Sequence, residues 1–172
     1  MTTICVDVMG SDREPAVLLE GVAKALEQDP ELKVLVAGDA SVVEPFARNH
    51  EHASALVTTE VIAMDEHPAT AVRKKKDASI VRAASAVRAG EADGLFSAGS
   101  TGAVLTAATF GIGRIKGIRR PALTLAAPGI SGRKTALLDC GANADVHPDV
   151  IVQFAHMGRA YAQVVLGVDE PR

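Results

Sequence analysis

The segment Ser97–Ala103 has the residue types and spacing that most favour chemistry in this chain. A short apolar run precedes it and a long apolar run, residues 104–112, follows it, which predicts a strand, a tight turn and a helix. Gly99 and Gly102 permit a turn that residues with a Cβ resist, and they let a ligand approach the backbone. The first N–H groups of the following helix have no partner inside the helix, so they attract anions.

Two functions fit this turn. It can bind phosphate or a developing oxyanion, or it can be an ordinary strand-to-helix turn with a Ser or Thr cap. Two further glycine turns, Met9–Asp12 and Gly141–Asp145, also follow predicted strands. Because ligands bind at the carboxyl ends of the strands in open α/β sheets, the three turns together favour the anion-binding function.

The elements that position these turns alternate between strand and helix. The predicted strands are residues 3–8, 33–37, 56–62, 94–96, 122–127 and 135–140. Helices are predicted to begin at Pro15, near Ser41, after a cap at Asp77, and at Pro148, and the stretch from Asp65 is predicted to be irregular. The helix after the central turn is apolar on all sides, which predicts burial. This order predicts one α/β domain over residues 1–172, with a mostly parallel sheet and one antiparallel pair.

The composition agrees with this fold class. Of the 172 residues, 48% are apolar but only 3% are aromatic, so the core must consist of Ala, Val, Leu and Ile. Such a core suits parallel strands covered by helices. The net charge of −3 does not favour nucleic-acid binding. No apolar run reaches the ~18 residues of a membrane span, and Asp7 interrupts the place of a signal peptide, so we expect a soluble cytoplasmic protein.

Several chemical motifs are excluded. Gly111-Ile112-Gly113 lacks the last glycine of a dinucleotide fingerprint, and Gly132–Thr135 has its lysine one place late for a phosphate loop. No histidine has the spacing of a zinc ligand, so no metal-ligating residues are assigned. No cofactor is expected. Cys5 and Cys140 lie in strand-like runs and are predicted to be buried, reduced thiols.

Five motifs occur in the order found in the bacterial phosphate acyltransferase (PlsX) family, which this chain resembles from Ile4 to Arg172. They are Val6–Asp12, Val72–Lys76, Ser97–Ala103, Gly113–Ala122 and Asp139–Asp145. The resemblance implies a three-layer α/β fold of the type shared with isopropylmalate dehydrogenases and phosphotransacetylases. It also implies that acyl-[acyl carrier protein] and inorganic phosphate react to give acyl phosphate. A glycerol-3-phosphate acyltransferase would then use the product in phospholipid synthesis.

The resemblance further implies a homodimer in the cytoplasm, with peripheral association at the inner face of the membrane. This chain departs from the family pattern at Ser11, where Gly is usual, at Ser100, where Asn is usual, and at Ala78-Ser79, where Ser-Ser is common. Family members are about twice as long. We therefore expect this chain to be the N-terminal part of a longer enzyme, and this part alone to lack some of the site.

The family reaction suggests roles for the polar residues near the turns. Asp7, Ser100 and Asn143 are candidate catalytic residues, although Asp7 and Asn143 could equally cap their turns. Asp139, at the end of another strand, could likewise orient a partner or cap a turn. The candidate ligands for phosphate or an oxyanion are Gly10, Ser97, Gly99, Ser100, Thr101, Gly102 and Asn143.

Acyl carrier protein is acidic, so a basic docking surface is expected. The candidate docking residues are Arg73, Lys74, Lys75 and Lys76, with a second cluster at Arg114, Lys116, Arg119 and Arg120. Either cluster could instead be an ordinary solvated face. Three other functions stay open: a phosphotransacetylase that uses acyl-CoA, an inactive module that binds phosphate or carrier protein, and a segment that folds only with the rest of its protein.

Overall fold

The structure, a computed structural model, describes residues 1–129, 132 and 134–171. The chain divides into two compact units, Met1–Gly113 and Arg114–Arg172, which are described separately. The organisation as a single domain stays a prediction.

The first unit contains a four-stranded parallel sheet in its described residues. Its strands are β1 (Thr2–Asp7), β2 (Leu32–Gly38), β3 (Ala53–Val57) and β4 (Gly94–Ser97), in the order β3-β2-β1-β4. Its helices are α1 (Pro15–Gln28), α2 (Ala40–Asn49), α3 (Pro68–Lys74), α4 (Ser79–Ala89) and α5 (Thr101–Ala107). A π-helical turn, Ala108–Ile112, continues α5. The predicted parallel α/β sheet is confirmed.

Alternating strand residues divide this unit into three layers, because successive side chains of a strand point to opposite faces. One hydrophobic cluster joins one sheet face to α1 and α2, and it includes Val6, Val34, Val36, Val22, Val43 and Phe46. Another cluster joins the opposite face to α4, and it includes Cys5, Ala37, Ala83 and Ala86. The sheet therefore lies between two helix layers.

Small residues let the helices α3, α4 and α5 pack closely. Their shared cluster includes Ala71, Val72, Ile80, Ala84, Ala103 and Ala107. A Cβ on Gly102 would lie 2.6 Å from Cγ of Pro68, and a Cβ on Gly111 would lie 2.8 Å from Cβ of Ala84. Since contacts this short do not occur, both glycines are needed for the packing of this layer.

The third strand differs from its predicted position at residues 56–62. It is Ala53–Val57, paired with β2, whereas Glu60 forms only an isolated bridge with Ala78. β3 is an edge strand, so its residues are at most half-buried and the alternation of its side chains is weak. That weak pattern explains the wrong strand boundaries.

Two local predictions around α3 and α4 are also wrong. The stretch predicted to be irregular contains α3, which has Pro68 in its first turn. Asp77 does not cap α4, whose N-cap is Ala78. The Asp77 carboxylate instead accepts hydrogen bonds from N and Oγ1 of Thr59 and from Arg82, at 2.9, 2.7 and 2.6 Å. Gly90 ends α4 in the left-handed conformation, at φ 78°, as predicted.

The helix after the central turn is only partly buried, so its predicted burial is partly wrong. Ala103 and Ala107 are buried, but the side chain of Phe110 is 60% exposed. Phe110 lies in the π-helical turn, where the backbone widens. This change of pitch turns the end of the apolar stretch away from the core.

The second unit contains the predicted antiparallel pair and the last helix. Strand β5 (Thr124–Pro128) pairs with β6 (Lys134–Leu138), and α6 spans Pro148–Val164. The connection between β5 and β6 includes residues outside the described part. Cys140 is exposed, so the prediction that both cysteines are buried is wrong for Cys140 and right for Cys5. In the described ranges, no helix is long and apolar enough to cross a membrane.

The neighbouring residues Thr58 and Thr59 give a matched test of this packing. Thr58 is 3% exposed, and its hydroxyl has no hydrogen-bond partner among the described residues. We expect Thr58→Val to keep or raise the free energy of unfolding by up to about 1 kcal/mol, because an unpaired buried hydroxyl is unfavourable. Thr59→Val should lower it by about 1 kcal/mol, since Thr59 loses its bond to Asp77. Urea unfolding measures both, and an equal loss in the two variants would contradict this packing.

Candidate functional site

The candidate site lies where β1 and β4 end side by side. The two strands are neighbours in the sheet, and Asp7 and Ser97 occupy matching positions at their carboxyl ends. The turns that follow therefore leave the sheet together. A small pocket is lined by five of the predicted site residues: Asp7, Gly10, Ser97, Gly99 and Ser100.

The Asp7 carboxylate holds both turns through its two oxygens. Oδ1 accepts a hydrogen bond from the backbone N–H of Met9, at 3.1 Å. Oδ2 accepts one from Oγ of Ser97, at 2.7 Å, and the same Oγ accepts the N–H of Gly99, at 3.0 Å. One buried carboxylate thus fixes the first turn directly and the second turn through Ser97.

Burial raises the pKa of Asp7, which is 2% exposed. Hydrogen bonds from the Ser79 and Ser97 hydroxyls and from the Met9 N–H oppose this rise, because they stabilise the charged form. The pKa in the folded protein thus lies above the unfolded value of about 3.9. The contribution of Asp7 to stability therefore decreases as the pH rises through its folded pKa.

Ser79 is a further candidate site residue, and the sequence pattern does not predict it. It is the first residue of α4, it is 2% exposed, and it lines the same pocket beside Asp7. The N-cap residues of α4 and α5, Ala78 and Ser100, make no side-chain capping bonds. Two helix N-termini without side-chain caps therefore meet at the pocket. The only sequence signal for Ser79 was its place after the basic run, where the related family commonly has two serines.

Glycines allow the two turns to approach each other closely. Gly10 has φ 70°, and a Cβ there would lie 2.8 Å from the carbonyl oxygen of Ile62. A Cβ on Gly99 would lie 3.2 Å from Oγ of Ser97 and 3.3 Å from the carbonyl oxygen of Gly10. A side chain at Gly10 would therefore displace the backbone, and one at Gly99 would need its neighbours to move by a few tenths of an ångström. Thr101, the first residue of α5, is exposed.

Asn143 belongs to the second unit, where its side chain caps a turn. Its Nδ2 donates to the carbonyl oxygen of Pro121, at 2.9 Å, and to Oδ2 of Asp139, at 3.0 Å. Desolvation raises the pKa of Asp139, but hydrogen bonds from Leu123, Asn143 and Ala142 outweigh it and hold the pKa below its ordinary value. These contacts favour the turn-capping role of both residues over a role in catalysis.

The basic run at the end of α3 is not uniform. Nζ of Lys75 donates to Oε1 of Glu66 at 2.6 Å and to the carbonyl oxygen of Val61 at 2.7 Å, so Lys75 is engaged within the fold. The residues Arg73, Lys74 and Lys76 are exposed. In the second basic cluster, Arg119 forms an ion pair with Asp149.

The pocket beneath the turns has a volume of about 10 Å³, which is close to the space for one water molecule. A larger cleft of about 470 Å³ lies in the second unit between β6 and α6, and it contains none of the predicted site residues. In the part of the chain that the structure describes, no three His, Cys, Asp or Glu side chains form a group that could hold a metal ion.

Comparison with known proteins identifies the family of this chain. A family model described as a fatty acid synthesis protein matches residues 2–172, and the chain therefore belongs to this family. A phosphate acyltransferase of Limosilactobacillus fermentum (strain NBRC 3956 / LMG 18251) is 48% identical over 98% of this chain and 50% of the relative. A phosphate acyltransferase of Staphylococcus aureus (strain Newman) is 42% identical over 100% of this chain and 52% of the relative. The resemblance found in the sequence is confirmed.

The chain spans about half the length of the curated relatives it matches. Among solved structures, it is similar to a branched-chain phosphotransacylase from Enterococcus faecalis V583. The TM-score is 0.57 at 19% identity, over 99% of this chain and 54% of the other. This likeness supports the α/β fold.

Ser97→Ala tests the link between Asp7 and the central turn. We expect the free energy of unfolding to fall by about 1–3 kcal/mol, because the Gly99 N–H and the Asp7 carboxylate each lose a partner. The loss should grow as the pH rises through the pKa of Asp7, since the charged form needs the bond more. Urea unfolding at several pH values measures this dependence.

Ser85→Ala is the matched control, because the Ser85 hydroxyl only donates to the Val81 carbonyl within α4. This variant should change the free energy of unfolding by less than about 0.5 kcal/mol at every pH. Equal effects of the two substitutions would show that Ser97 does not hold the turn.

Proposed function

We propose that this chain carries the phosphate-binding part of an acyltransferase that makes acyl phosphate from acyl-[acyl carrier protein] and inorganic phosphate. The observation that carries this proposal is the glycine turn at Ser97–Ala103. The helix that follows it has no side-chain cap, and Asp7 holds the turn through the Ser97 hydroxyl. Membership of a fatty acid synthesis family and the names of the relatives support it.

The proposed reaction makes modest chemical demands. An oxygen of hydrogen phosphate attacks the thioester carbonyl carbon, the C–S bond breaks, and the carrier thiolate leaves. Because a thiol has a pKa of about 8.5, the leaving group needs no strong acid. The protein must hold the phosphate against the carbonyl carbon, stabilise the oxyanion and position both reactants.

The turn and the start of α5 fit the first of these demands. The pocket has room for about one water molecule, so phosphate would bind at its mouth rather than inside it. There it would meet the first N–H groups of α5 and the hydroxyls of Ser100 and Thr101. Asp7 is then a positioning residue, because its oxygens already bind Ser97 and the Met9 N–H.

Direct transfer, without an acyl-enzyme, needs no nucleophile from the protein, and the buried Cys5 is not suited to be one. Cys5 is fully buried, and burial together with the charges of Asp7 and Glu91 raises the pKa of its thiol to about 12. The thiol therefore stays protonated at neutral pH and is a poor nucleophile. Phosphate itself is the nucleophile in the proposed reaction.

The partners of the reaction complete the proposal. The acidic carrier protein would bind the exposed cations Arg73, Lys74 and Lys76, whereas Lys75 is engaged with Glu66. A glycerol-3-phosphate acyltransferase would use the acyl phosphate in phospholipid synthesis. The whole protein would act in the cytoplasm as a homodimer, with peripheral association at the inner face of the membrane.

An assay of acyl phosphate formation tests the proposal. Acyl carrier protein loaded with a fatty acyl chain is incubated with phosphate and this chain, with the full-length relative from Staphylococcus aureus as a positive control. We expect the phosphate concentration for half-maximal rate or binding to rise about tenfold in Gly99→Ala, because its Cβ disturbs the turn. Gly21→Ala, a change into open space on α1, is the matched control.

Each outcome separates the alternatives. Phosphate binding that depends on Gly99, without turnover, would favour an inactive binding module. Turnover with acyl-CoA but not with acyl carrier protein would favour a phosphotransacetylase. Neither turnover nor phosphate binding at this turn would contradict the proposal.

A further inference from the structure

The charges of the first unit are divided between the two faces of its sheet. On one face, the described elements α3, α4, α5 and the π-helical turn contain the cations Arg73, Lys74, Arg82 and Arg88 and no carboxylate. On the other face, α1 and α2 contain the carboxylates Glu20, Glu27 and Glu44 and the cations Lys24 and Arg48. The whole chain has a net charge of −3. The helices of this layer are thus positive, although the whole chain is negative.

Most of these cations remain available to a partner. Arg82 forms an ion pair with Asp77, which lies in the loop before α4. The nearby carboxylate of Glu66 is paired with Lys75, outside α3. Of the charged side chains on the helices of this layer, Arg73, Lys74 and Arg88 are exposed, and all three are cations.

An exposed aromatic side chain lies among these cations. Phe110 is 60% exposed, and Ile112, two residues further on, is 38% exposed. The Arg73 guanidinium lies over the Phe110 ring, with Cζ 5.8 Å from the ring centroid. This cation–π contact restrains both side chains, so they present an apolar and a charged surface together.

The backbone holds Phe110 in this exposed position. Gly111 packs so closely against Ala84 that a Cβ would lie 2.8 Å from Cβ of Ala84. Arg88 donates a hydrogen bond to the Gly111 carbonyl oxygen at 3.3 Å, and the Gly113 N–H closes the π-helical turn on Ala108 at 3.0 Å. π-helical turns are rare and occur frequently at functional sites. Here the turn directs the ring into solvent.

We propose that this surface, the Phe110 face, is the docking site for acidic acyl carrier protein, with Phe110 as its apolar anchor. The Phe110 face consists of Arg73, Lys74, Arg88, Phe110 and Ile112. The proposal rests on the proposed function, which supplies an acidic protein as the acyl donor. It extends that function by adding Arg88, Phe110 and Ile112 to Arg73 and Lys74, and the Phe110 face includes neither Lys75 nor Lys76.

The positive charge and the small apolar area of the Phe110 face favour acyl carrier protein as its partner. A positive face complements an acidic protein, whereas it would repel the same face of a second copy of this chain. Arginine and large aromatic residues are enriched where few contacts carry most of the binding energy. Two exposed apolar side chains are a small area, which suits a carrier that must dissociate after each transfer better than stable insertion into a membrane.

Binding of acyl-loaded carrier protein to the chain tests the proposal at several salt concentrations. We expect Phe110→Ala to weaken binding roughly tenfold or more, with the salt dependence unchanged. Arg88→Gln should weaken binding and reduce its salt dependence, because one charge is removed. Val17→Ala is the matched control, since Val17 is 54% exposed on α1, on the opposite side of the sheet.

The readouts separate this proposal from the proposed function. The rate of acyl phosphate formation tests the proposed function, and the affinity for acyl carrier protein tests the Phe110 face. Carrier affinity that is equal in the wild-type and Phe110→Ala chains, or no carrier binding at all, would overturn the docking proposal, whatever the rate of turnover. Binding only to vesicles of phosphatidylglycerol and phosphatidylcholine, or self-association that depends on Phe110 without carrier binding, would also overturn it.

Discussion

One buried carboxylate organises the candidate site. Asp7 ends β1 in the middle of the sheet, and its two oxygens bind the Met9 N–H and the Ser97 hydroxyl. Burial makes the charged form costly, and hydrogen bonds from both turns offset that cost. The hydrogen bonds that stabilise the Asp7 carboxylate therefore fix the conformation of both turns. The N-cap residue of α5, Ser100, makes no side-chain capping bond, which is why this turn is proposed as the phosphate site.

The two helix layers of the first unit differ in their packing and in their surfaces. The layer with α1 and α2 packs large apolar side chains on the sheet. The layer with α3, α4 and α5 packs mainly small residues, which brings the starts of α4 and α5 to one pocket. Its outer surface is basic and bears an exposed aromatic ring. The proposed phosphate site and the proposed docking surface thus lie on one helix layer.

The sequence predicted what depends on strong local signals. Strong apolar runs located β1, β2 and β4, and the glycine spacing located the central turn. The predictions from sequence were wrong where tertiary contacts determine the local structure. The weak pattern of edge strand β3 misplaced its bounds, and Asp77, which resembles a helix cap, binds Thr59 and Arg82 instead. Ser79 lines the pocket because α4 begins there, and its only sequence signal was its place after the basic run.

Backbone NMR of this chain during a phosphate titration tests the central claim most directly. The amide signals of Gly99, Thr101 and Gly102 should shift and saturate with phosphate, and equal ionic strength of sodium chloride should leave them unchanged. Signals of α1, on the other side of the sheet, should not move. Saturable shifts elsewhere, with the amides of the central turn unaffected, would contradict the assignment of this turn as the phosphate site.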